Sequence, residues 1–81
     1  SMMKPYLGDY YLHDDTLTIS MSTGRPRLVI NHSFGYDLYF ATAEDFFARE
    51  LNFDLKFEKD AKGQVTDIYF KTGREQRAKR K

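Results

Sequence analysis

Alternation of apolar and polar residues is clearest between residues 52 and 80. Phe53, Leu55 and Phe57 alternate with Asp54, Lys56 and Glu58. A period of two puts the apolar side chains on one face of a strand and the charges on the other. A helix would throw Leu55 to the side opposite Phe53 and Phe57. Asp60-Ala61-Lys62-Gly63 supplies the turn: aspartate suits the first position of a type I turn, and Gly63 takes the left-handed conformation that restores register. Val65, Ile68, Tyr69 and Phe70 form the return strand. Val65 is out of phase with Ile68 and Phe70, which predicts a bulge near Thr66-Asp67. Thr72-Gly73 is a second tight turn, after which residues 74–81 leave the sheet or form its last strand.

The upstream chain repeats this pattern. Residues 4–12 read as a first strand, with Tyr6, Gly8 and Tyr10 on one face and Leu7, Asp9 and Tyr11 on the other. Gly8 between two tyrosines marks a place where a ring or backbone crosses closely. His13-Asp14-Asp15 is a polar turn. Leu17, Ile19 and Met21 point inward and Thr16, Thr18 and Ser20 outward. Residues 22–26 form a turn rich in breakers. Residues 27–31 are a strand with Leu28 and Ile30 on one side and Val29 on the other. Residues 32–35 turn again, and residues 36–41 form a strand with two nearly apolar faces, so at least one of its tyrosines keeps its hydroxyl in water. Residues 43–51 fit either a two-turn helix, with Thr42 as N-cap and Asp45 three residues on, or a short strand through Phe46, Phe47 and Ala48. The all-β context favours the strand.

Size and composition narrow the class. The chain has 81 residues, enough for one domain; a domain this small buries only about 60% of its unfolded surface. A curved or closed sheet, or a partner surface, is the physical remedy. Seven Phe and six Tyr supply bulky rings for a small interior. The net charge of +1 gives no global field to recruit nucleic acid or an anionic membrane. Cysteine is absent, so there is no disulfide, thiol nucleophile or Cys-based metal site. No apolar run approaches the ~18 residues of a membrane span, and no signal peptide is visible. Ser1 ahead of Met2 reads as a protease-cleavage scar, with residues 1–3 a disordered terminus, residues 4–81 one β domain, and the chain an excised piece of something longer.

Several of these residues carry a resemblance. Tyr6-x-Gly8-x-Tyr10, Leu17-Thr18-Ile19, Leu28, Phe53-x-x-x-Phe57, the run Asp60-Ala61-Lys62-Gly63-Gln64-Val65-Thr66, Gly73-Arg74-Glu75 and Ala78-Lys79-Arg80 together resemble the lipocalin-like β domain at the C-terminus of many bacterial β-lactamase-related serine hydrolases. Residues 32–51 follow no pattern of that family. The resemblance implies an all-β, antiparallel meander of about seven to eight strands, curled into a lipocalin-like barrel or half-barrel. It implies a non-catalytic accessory domain that packs on the catalytic serine-hydrolase domain of the same parent chain or on a second copy, in a periplasmic or secreted bacterial protein. It transfers no catalytic residue, metal or cofactor. The alternatives are a mini-lipocalin that binds a small apolar ligand and an OB-like nucleic-acid module.

Candidate chemistry is sparse. Ser1-x-x-Lys4 matches the S-x-x-K of β-lactamase-type hydrolases in form, but that motif needs a serine at the start of a buried helix. His13, Asp14 and Asp15 offer ligand atoms, yet adjacent residues of a strand point apart and a metal needs convergent ligands. Neither His13 nor His32 stands in a recognisable Ser-His-Asp arrangement. Asn31-His32-Ser33 is a glycosylation sequon by pattern alone. Lys71, Arg74, Arg77, Lys79, Arg80 and Lys81, near Tyr69 and Phe70, read as a charged edge strand guarded against aggregation in preference to a nucleic-acid face. Tyr10, Tyr36, Phe40, Phe57 and Tyr69 are the candidates for a ligand cavity or docking patch.

Overall fold

Nine strands follow the alternation in chain order. They are β1 (Gly8–Leu12), β2 (Asp15–Ser22), β3 (Arg25–Ile30), β4 (Phe34–Asp37), β5 (Tyr39–Phe40), β6 (Asp45–Phe47), β7 (Asp54–Lys59), β8 (Val65–Lys71) and β9 (Glu75–Arg80). The computed structural model describes residues 3–72 and 75–80. All pairings are antiparallel, in the spatial order β4-β3-β2-β1-β9-β8-β7-β6-β5. The two outermost strands of that order, β4 and β5, are consecutive in the chain, with Leu38 alone between them. The sheet therefore curls until its ends meet in one chain segment, giving a nearly closed barrel.

Leu38 also explains why the count is nine and not seven or eight. The segment expected as one strand over 36–41 changes partner midway. Arg27 to Ile30 pair with Phe34 to Asp37, whereas Tyr39 and Phe40 pair with Phe47 and Phe46. At the switch the Leu38 N–H donates to the Pro26 carbonyl at 2.9 Å, and its side chain is buried. The strand reading of 43–51 holds for Asp45–Phe47. Thr42 and Asp45 still make the bonds of a helix start. The Asp45 N–H donates to Thr42 Oγ1 at 3.0 Å, and that hydroxyl donates to Asp45 Oδ2 at 2.9 Å. Here they fasten a tight turn into β6.

Two further expectations are corrected. Residues 4–6 form a 3₁₀ turn, not the start of β1; Pro5 has no N–H to give a sheet and suits a first helical turn. The basic C-terminal segment is not an edge, because β9 lies between β8 and β1. Its charges guard no open strand. Gly73 and Arg74, in the second predicted turn, lie outside the described residues, as do Ser1, Met2 and Lys81. Met3 packs against the core.

The 53–70 hairpin forms as its pattern requires. Pairing steps from Glu58↔Asp67 to Lys59↔Val65, so Thr66 is the extra residue of a bulge at the expected place. Asp60 Oδ1 accepts from Lys62 and Gln64 N–H at 2.8 and 3.0 Å, and Gly63 has φ +79°. The core joins Tyr6, Tyr10, Leu17, Ile19, Leu28, Leu38, Leu55, Phe57, Ile68 and Phe70, all expected, with Phe46, Ala48, Val65 and Ala78. Ile30, Phe40 and Phe53 are half-buried around it. Met21, in phase with the core residues of β2, is 38% exposed. It lies next to the last residue of β2, at an open end of the barrel.

Candidate functional site

Phe57 is the hub of the interior. Its ring stacks on Tyr6 and on Phe46, each at 4.4 Å between centres, and meets Tyr10 at 6.2 Å and Phe40 at 6.3 Å. Tyr10 and Phe57 are fully buried. They fill the barrel, as side chains do in so narrow a closed sheet. Burial pushes the Tyr10 phenol up to about 12, against the opposing pull of the Arg80 guanidinium. Its hydroxyl donates to the Tyr6 carbonyl at 2.8 Å.

The other three cavity candidates separate. Tyr36 stands opposite Leu28 and is half-buried against the core. Tyr69 carries Arg77 over its ring at 4.7 Å, and Arg77 also holds Glu58 at 2.7 Å. Phe40, of the five, borders a groove. That groove, of about 570 Å³, is lined by Met3, Tyr6, Met21, Pro26, Phe40 and Ala43, with Gly24 and Thr42. It sits at the barrel mouth between the β2–β3 hairpin and the β5–β6 turn, and its walls are mainly apolar. The 3₁₀ turn delivers Tyr6 and Met3, and the fastened Thr42–Asp45 turn fixes its far wall.

Nothing in the sequence marks Met21 and Pro26 as lining residues. Phase puts Met21 in the core and Pro26 stands in a run of turn formers, although Pro26 pairs with Met21 across β2 and β3. Beside this mouth, on the outer wall, Tyr39 stacks on Phe47 at 5.7 Å. Arg25 and Arg49 place their guanidinium carbons 5.1 and 4.7 Å from the Tyr39 ring centre. The two apolar faces of residues 36–41 were the signal for this outward tyrosine.

A second groove, of about 510 Å³, is lined by Pro5, Gly63, Gln64, Val65, Thr66 and Arg80. Arg80 is spent on the fold there. It donates to the carbonyls of Pro5 at 2.6 Å, Leu7 at 2.5 Å and Val65 at 3.4 Å. His13 and His32 are exposed turn residues with φ +54° and +58°. No group of three His, Asp or Glu converges as metal ligands among the described residues. The amide of Asn31 is engaged: Oδ1 accepts from Thr16 N–H at 2.8 Å and Nδ2 donates to Asp15 at 2.9 Å. No helix among the described residues is long and apolar enough to cross a membrane.

No protein-family model, curated protein or solved structure matches the chain.

Proposed function

We propose that this chain is a non-catalytic interaction domain that holds a segment of a neighbouring protein in the apolar groove at its mouth. The groove carries the reading. Met21 is exposed there although its phase belongs to the core, and contiguous exposed apolar surface marks an interaction site. The filled interior favours a surface partner over a small apolar ligand, because pockets for such ligands enclose most of the ligand's surface. The resemblance in Tyr6-x-Gly8-x-Tyr10 and residues 60–66 makes the catalytic serine-hydrolase domain of the same parent chain the leading neighbour. A second copy of this chain is the other candidate. On this reading the chemistry resides in the neighbour, and the parent protein works in the periplasm or outside the cell.

The test is selection from a random-peptide display library. Peptides with apolar anchors should enrich on the wild type and be lost on Met21→Glu, a change at an exposed position that leaves the core intact. Failure to enrich, or enrichment indifferent to Met21→Glu, overturns the docking reading.

A further inference from the structure

We infer that the occupant of the mouth groove is an acidic peptide segment, in which an apolar anchor is flanked by Asp or Glu. This rests on the docking reading above and adds the chemistry of the partner.

The distribution of unmatched cations carries it. Three basic side chains of the wall are matched by carboxylates: Arg27 by Asp37, Lys71 by Asp45 and Arg77 by Glu58. Lys4, Arg25, Arg49, Lys56, Lys59, Lys62 and Lys79 form no salt bridge among the described residues. Of these, Lys59 stands over the lining residue Tyr6, and Arg25 and Arg49 stand over Tyr39, the neighbour in sequence of the lining residue Phe40. Arg25 lies between Gly24 and Pro26, both lining residues, with Tyr39 beneath its guanidinium. Arg49 approaches the same ring. Lys59 places Nζ 5.4 Å from the centre of Tyr6, itself a lining residue. A ring face orients a cation without supplying an acceptor oxygen, and a guanidinium presents five N–H donors. The rim therefore offers oriented donors with no acceptor, around an apolar floor. A carboxylate beside an apolar anchor completes both.

Nucleic acid fits less well. Its affinity comes from many phosphate contacts, and the chain has a net charge of only +1.

The peptide selection is run on the wild type, on R25E/R49E and on M21E, with circular dichroism confirming the fold of each. A selected peptide is then compared with its Glu→Gln version by fluorescence anisotropy at low and high salt. Wild type should enrich Asp and Glu beside the anchor, and R25E/R49E should enrich Lys and Arg in their place. The Glu→Gln peptide should bind about tenfold more weakly at low salt, at roughly threefold for each of Arg25 and Arg49, with the gap closing at high salt. Anchored peptides without acidic bias, or with a bias that R25E/R49E leaves unchanged, overturn the acidic partner and leave the docking reading standing. An absence of M21E-sensitive enrichment overturns both. Displacement of the peptide by an oligo-dT strand or by a fluorescent acyl chain at lower concentration also overturns the peptide occupant.

Discussion

The Arg80 guanidinium lies 5.5 Å from the centre of the Tyr10 ring while donating to the carbonyls of Pro5 and Leu7. Arg80 and Tyr10 are also paired across the seam between the last and first strands, which is registered at two positions among the described residues. One side chain thus ties the C-terminal strand to the N-terminal turn. Gly8, between Tyr6 and Tyr10, has φ +128°, so the chain passes under Arg80 in a conformation that side chains disfavour. Tyr6-x-Gly8-x-Tyr10 and Ala78-Lys79-Arg80 are in this way two halves of one clasp. Arg80→Ala is expected to cost about 2 kcal/mol through stranded carbonyls and lost ring contact. Arg80→Lys should restore only part, because a point charge cannot span separate carbonyls as a planar fork does. Gly8→Ala should cost about 1–3 kcal/mol through backbone strain; a Cβ there meets Arg80 only at ordinary contact distance. Urea unfolding midpoints read all three.

Tyr10 sets an alkaline limit. The unfolded phenol loses its proton near 10.0, whereas the buried one holds it to about 12. As pH rises through that interval the unfolded state releases its proton first, so stability falls. The interval corresponds to a loss of ~3 kcal/mol at about 1.4 kcal/mol per pH unit. Tyr10→Phe should lose about 1 kcal/mol at neutral pH with the bond to the Tyr6 carbonyl, and should then show a flatter decline above pH 10. Unfolding curves of both proteins from pH 8 to 12 make the comparison.

Asp45 and Lys71 act at the two ends of the pH scale. The hydrogen bond from Lys71, with that from Thr42, holds the Asp45 carboxyl below its ordinary 3.8, and Asp45 raises Lys71 above 10.5. The Asp45 contribution is present above 3.8 and lost as pH falls through its folded value. The Lys71 contribution is present below 10.5 and lost as pH rises through its folded value. The pair is exposed, so salt should weaken it. Asp45→Asn should abolish that part of the acid sensitivity seen below pH 4, measured by thermal melts across the acid range at low and high salt.

Phe57→Ala removes the ring that four other aromatic residues touch. A cost of about 3–5 kcal/mol is expected from lost burial and the cavity left behind. Against the ~5 kcal/mol total of a small domain, the variant should be largely unfolded at room temperature by near-UV circular dichroism.

The fold was legible where alternation and turn chemistry agree. The 53–70 hairpin, its bulge at Thr66 and most of the core follow from period two with Asp60 and Gly63. The same rule misled where one strand serves two partners. Residues 36–41 alternate without interruption, so nothing local announces that Leu38 switches from β3 to β6. Run-based reading also hid β9. One alanine among basic residues looks like an exposed edge until barrel closure places Ala78 against the interior. Of the candidate site, Phe40 was legible from its aromatic character. Met21 was not, because phase alone cannot tell a core position from one at the open end of the barrel. Arg49 approaches Tyr39 through the β5–β6 pairing and Arg25 through the β3–β4 pairing, proximities that no spacing encodes.

Docking of an acidic segment at the mouth between the β2–β3 hairpin and the β5–β6 turn is read directly by an NMR titration of the ¹⁵N-labelled protein with a selected Glu-flanked peptide. Amide shifts confined to Met3, Tyr6, Met21–Pro26, Tyr39–Ala43, Lys59 and the neighbourhood of Arg49, and lost with the Gln-flanked peptide, are the predicted result. Shifts centred on β9, β1 or the groove beside Arg80, or equal shifts with both peptides, would contradict it.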